Sequence, residues 1–150
     1  MQNLSFEDGY KEFTVNGDSE RKIRFNPADL SILERFNTAR KKILEKQNEI
    51  GDLDINPDGS AAVTEDMMNQ ASDLIIELNQ FICEQVDFIF NAPVSKAAFW
   101  NQSPLSTVKG VSLFERFLTA AQALVEKELE VEEAASKKRV QKYTNQVRKR

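Results

Sequence analysis

The residues best spaced for chemistry are Asp54, Asn56, Asp58, Gly59, Ser60 and Glu65, which follow the pattern of an EF-hand calcium loop. In that pattern side-chain oxygens at alternate positions, the Ser60 backbone carbonyl and both oxygens of Glu65 surround a hard cation, and Gly59 makes the sharp turn. The chemistry would be calcium ligation. Against it, Pro57 stiffens the loop, and Ala61 stands where such loops usually carry a branched apolar residue for pairing two loops. The chain has no second loop of this kind. A solvated connection between two helices uses the same residue types, because Asp, Asn, Pro and Gly all favour turns. The expectation is no metal and no cofactor, with this loop as the only candidate.

Other chemistry is constrained by what the chain lacks. There is no His, which removes the commonest general base and the commonest transition-metal ligand together. Ser–His and Cys–His nucleophiles are thereby excluded, and no Gly-rich phosphate loop occurs among the Gly residues. The single Cys83 lies in the apolar run Phe81-Ile82-Cys83. It reads as a small core residue, and its lack of a partner suits a reducing compartment. The expectation is a protein that is not an enzyme and has no catalytic residue.

Charged residues make up 29% of the chain and the net charge is −4, a balance that suits a soluble protein rather than a nucleic-acid binder. No apolar run approaches the roughly 20 residues of a membrane span. The start, Met1-Gln2-Asn3-Leu4, has no basic region before an apolar stretch, so no secretory signal is expected.

The elements that must position any site follow from periodicity. Lys11-Glu12-Phe13-Thr14-Val15 and Arg21-Lys22-Ile23-Arg24-Phe25 alternate apolar and polar residues around Asn16-Gly17-Asp18-Ser19. They predict a hairpin that pairs Phe13 with Phe25 and Val15 with Ile23, its apolar face laid on helices. Asn26 as cap and Pro27 as first helical residue open a helix over 27 to about 50, which Gly51 ends. A polar loop covers 52–64. Thr64 then caps a helix from about 65 to 90, whose wide apolar stripe predicts partners on two sides, and Pro93 stops it. A third long helix begins near Ser112, with Leu113, Phe114, Phe117, Leu118, Ala121, Leu124 and Val125 as its buried face.

From Glu126 the pattern changes. Glu126, Glu128, Glu130, Glu132 and Glu133 form an acidic block, and Lys137, Lys138, Arg139, Lys142, Arg148, Lys149 and Arg150 a basic one. This half reads as a polar helical arm that leaves the core. Its basic end invites comparison with nucleic-acid binders, but Tyr143 is its only aromatic, so it has no stacking platform. The acidic block can pair with the basic one within the helix or between subunits. The chain is thus expected to be a single mainly α (α+β) domain, 1–150: a hairpin region 1–26, a helical core 27–125 and a charged helical arm 126–150.

Between the second and third long helices an extended loop is read from Asn91 until the apolar helix pattern resumes near Val111, and it carries Phe99 and the only Trp, Trp100. Large aromatics in a loop must pack back on the core or anchor a partner, and both readings stand.

Three segments together resemble the tail assembly chaperones of long-tailed phages that infect Gram-positive bacteria. The first is the hairpin leading through Asn26-Pro27-Ala28-Asp29-Leu30 into a helix. The second is the helix end Val86-Asp87-Phe88-Ile89-Phe90 with its loop to Phe99, where the family often has an I-D-x-I-F-G-type end and a following Phe; Asn91 stands in the place of that Gly. The third is Leu113-Phe114-Glu115-Arg116-Phe117-Leu118. The resemblance implies a non-enzymatic protein of the host cytoplasm that coats the helical tape-measure protein before the tail tube forms, and that is absent from the mature virion. It implies the tape-measure protein as partner. Self-association into a homo-oligomer is expected separately, because weak contacts repeated along a long client give avidity. On this reading the partner-binding residues are Phe99, Trp100, Val140, Tyr143 and Val147. The rival expectations are a structural tail or connector protein, and a calcium- or nucleic-acid-binding regulator built on the 54–65 loop or the basic tail.

Overall fold

Two short-range features organise the N-terminal part of the computed structural model, which describes residues 1–50 and 65–148. Asn16 and Gly17 both adopt positive φ (53° and 73°), and form a tight turn between strands β1 (Lys11–Val15) and β2 (Asp18–Phe25). Such two-residue turns match the twist of an antiparallel pair, and Asn-Gly is their preferred sequence. The turn closes on Val15 opposite Asp18, so the following residues of β2 bulge out before pairing resumes at Thr14 with Lys22. The predicted register is therefore corrected: Phe13 faces Ile23 and Lys11 faces Phe25. The slip is an even number of residues, which keeps Ile23 and Phe25 on the buried face.

The first helix, α1 (Leu30–Ile50), starts later than predicted. Asn26 Oδ1 accepts from the backbone N–H of Ala28 at 2.9 Å and makes a turn, while Asp29 Oδ1 accepts from Ser31 N–H at 2.9 Å and takes the capping role assigned to Asn26. Pro27 is buried within that turn. Helix α2 (Glu65–Phe90) runs antiparallel to α1: Lys46 Nζ meets Glu77 at 2.8 Å near one end, and Arg35 Nε donates to the Ile89 carbonyl at 2.7 Å near the other. The bond to Glu77 holds the Lys46 ammonium above its usual pKa. The Arg35 contact satisfies a terminal carbonyl of α2 and places a cation at the negative end of its dipole. Ile32, Ala39, Ile43, Leu78, Ile82, Val86 and Ile89 fill the space between the two helices.

The end of α2 is set by Asn91 at φ 50°. Asn91 N–H donates to the Phe88 carbonyl and Ala92 N–H to the Asp87 carbonyl, each at 3.2 Å, which is the paired bonding of a Schellman ending. Asn is the residue that most readily replaces Gly in this left-handed position.

The segment predicted as an extended loop contains two small elements instead. Helix α3 (Ser95–Phe99) follows directly, and strands β3 (Thr107–Val108) and β4 (Val111–Ser112) form a minimal second hairpin. Helix α4 (Leu113–Arg148), 36 residues and so about 54 Å long, closes the chain. Ser112 Oγ accepts from Glu115 N–H at its start.

The four helices and the first hairpin meet at a cluster of rings: Phe13 from β1, Phe25 from β2, Phe36 from α1, Phe90 from α2, Phe99 from α3 and Phe117 from α4. Phe90 is the hub, with ring centroids 4.7 Å from Phe25, 6.0 Å from Phe36 and 5.9 Å from Phe117. Tilted and edge-on rings at these distances add to the gain from burial. The chain is thus mainly helical with an N-terminal antiparallel hairpin, an α+β architecture.

Candidate binding groove

The apolar side of the hairpin does not lie flush on α4. Between them runs an open groove of about 620 Å³. Phe13, Val15 and Ile23 form one wall, Phe117, Ala120, Ala121 and Leu124 the other, and Val108 and Leu113 one end. The small side chains of Ala120 and Ala121 keep the α4 wall low. Arg116 stands at the rim with its guanidinium engaged, donating to the Val108 carbonyl at 2.6 Å and so fixing the second hairpin against α4. Lys11 Nζ reaches Glu128 at 3.0 Å and ties β1 to α4 beyond the far end of the groove. A smaller cleft of about 330 Å³ between α1 and α4 is more polar, with Arg40, Gln47, Glu115 and Gln122 among its lining residues.

Beside the groove, α3 is held at both ends by side chains from elsewhere. Asp87 of α2 accepts from the Ser95 backbone N–H at 2.7 Å and from the Ser95 hydroxyl at 3.1 Å, which places a carboxylate at the N-terminus of α3. Arg21 of β2 donates to the carbonyls of Ala97 and Ala98 at 2.8 and 2.7 Å, which satisfies its C-terminus. Cys83 lies under this junction, half-buried. Burial pushes its thiol pKa up, Asp87 and Glu84 add to the rise, and Ser95 pulls the other way. A protonated thiol is a poor nucleophile.

This clamp decides the fate of the two loop aromatics. Phe99 is 3% exposed, with its ring 5.9 Å from Phe117, so its assignment as a partner contact is corrected: it belongs to the core. Trp100 is 44% exposed, and Arg21 sits 6.0 Å from its ring centroid. Its backbone has φ 54° and ψ −115°, a region that side-chain-bearing residues rarely occupy. A large aromatic held half-exposed on a strained backbone is a feature that core packing does not require.

Val140 and Tyr143 lie far along α4 with exposed side chains, away from the groove residues. The side chain of Val147 lies outside the described residues, as do Asp54, Asn56, Asp58 and Ser60 of the calcium-like loop. Glu65, the last position of that pattern, is the exposed first residue of α2. Among the described residues no group of His, Cys, Asp and Glu side chains converges as a metal site requires, and no helix is long and apolar enough to cross a membrane.

The groove itself is not visible in the sequence. Its residues carry ordinary core patterning, and only the low Ala120-Ala121 step in α4 hints that a neighbour is held off. No family model, curated protein or solved structure matches the chain.

Proposed function

We propose that this protein acts by binding, as a tail assembly chaperone that holds the helical tape-measure protein of a long-tailed phage in the host cytoplasm and is left out of the finished particle. The observation that carries the reading is the open apolar groove between the hairpin and α4. From Leu113 to Leu124 its α4 wall is about 16 Å long, the rise of about three helical turns. A client helix presenting apolar residues at i, i+3 and i+4 would fill it, and such grooves are a recurrent means of helix recognition. Trp100 supplies a second contact of the kind that dominates interfaces. The resemblance in the hairpin, the Asp87 helix end and the start of α4 supports the choice of client. Contacts of this size are individually weak, and repetition along a long rod supplies avidity while each copy stays displaceable.

The test is co-expression with the tape-measure protein and co-purification. Ala120 is exposed and lines the groove, so Ala120→Arg obstructs the groove without removing a core side chain. The expected result is loss of co-purification with a melting temperature within about 2 °C of the parent, as for surface substitutions generally. Retained capture by a folded Ala120→Arg protein overturns the groove assignment. Stoichiometric protein in purified virions overturns the assembly role.

A further inference from the structure

We infer that the distal half of α4 is an antiparallel pairing surface for a second copy of this chain. Every side chain from 130 to 145 is exposed, including Val131, Val140 and Tyr143. A helix of this length with nothing packed on it is marginal in water, since most helical stability comes from burying an apolar face.

The charges make the isolated arm worse. Glu126 and Glu130, Glu128 and Glu132, and Lys138 and Lys142 are like-charged neighbours four residues apart, a spacing that destabilises a lone helix. Among the described residues the blocks touch favourably only at their junction, where Lys137 Nζ lies 3.2 Å from Glu133.

A parallel pair would set like block against like. An antiparallel pair crossing at Ser136 sets residue i opposite residue 272 − i. On the face set by Leu129 and Tyr143, which then oppose each other, Glu132 lies beside Arg139 of the second copy on one flank and Glu133 beside its Lys137 on the other, each twice by symmetry. Leu129, Ser136, Val140 and Tyr143 share one face, which continues the buried stripe Leu118, Ala121 and Val125 of the same helix. Ser136 at the crossing is small, which lets the two axes approach. The occupant is a second copy because the complement of each block is the other block of this same sequence. The inference stands apart from the proposed client, which uses the groove.

The experiment is sedimentation equilibrium on the full chain at low and high salt. A dimer that weakens with ionic strength is expected. Lys137→Glu with Arg139→Glu should raise its dissociation constant on the order of tenfold or more. Adding Glu132→Lys and Glu133→Lys should restore it. For orientation, Leu129→Cys and Tyr143→Cys proteins, each in a Cys83→Ala background, are mixed and oxidised. Antiparallel pairing gives the mixed 129–143 disulfide in preference to either symmetric one. A monomer at all concentrations, a dimer indifferent to charge reversal, or predominant 129–129 linkage each overturns the inference.

Discussion

Asp87→Ala tests whether the most motif-like stretch of the chain serves the fold or a partner. The carboxylate makes two hydrogen bonds to Ser95, at 2.7 Å to its N–H and 3.1 Å to its hydroxyl, and Ser95 is buried. Bonds to a charged acceptor contribute more than neutral ones, and their loss leaves a buried donor unsatisfied at about 1–3 kcal/mol. The hydroxyl can rotate toward another acceptor and the N–H cannot, so a loss of about 2–3 kcal/mol is expected. For a chain of 150 residues that corresponds to a fall in Tm of about 4–12 °C. Asp87→Asn keeps an acceptor for the N–H and should lose about 1 kcal/mol. Urea unfolding of Asp87→Ala, Ser95→Ala and the double variant should give a coupling of about 1 kcal/mol. Strict additivity, or an Asp87→Ala protein within about 0.5 kcal/mol of the parent that no longer captures its client, would refute the capping argument and make Asp87 a contact residue.

Phe99 and Trp100 should behave oppositely despite being adjacent. Phe99→Ala removes a buried ring and should cost about 3–5 kcal/mol in chemical denaturation. Trp100→Gly relieves a positive φ but gives up the buried part of the ring, so stability should change by about 1 kcal/mol or less while client capture weakens. For Cys83 the folded thiol has a raised pKa, so its contribution to stability is complete below the unfolded value of about 8.5 and is lost as pH rises toward the folded one. Unfolding free energies measured from pH 7 to 10 should therefore fall, with a shallower slope in Cys83→Ala, and maleimide labelling of the native protein at pH 7 should be slower than of the unfolded chain.

The sequence by itself determined what local chemistry and periodicity control. The bounds of α2 follow from an apolar stripe that stops at Asn91-Ala92-Pro93, and the hairpin from alternation around Asn16-Gly17. The start of α4 follows from Ser112 and the stripe behind it. The exposed arm is legible as well, because beyond Glu126 too few apolar residues remain to build a buried face. Tertiary structure decided what depends on long-range partners. The hairpin register turned on where a two-residue turn closes. The start of α1 turned on whether Asn26 or Asp29 meets the first free N–H groups. Helix α3 is too short to hold itself, and exists because Asp87 at the end of α2 and Arg21, distant in sequence, satisfy its two ends. That clamp buries Phe99 and leaves Trp100 outside, a separation no property of the two side chains reveals. The groove belongs to the same class: it is a space between β1, β2 and α4, and a space is set by how far apart packed elements come to rest.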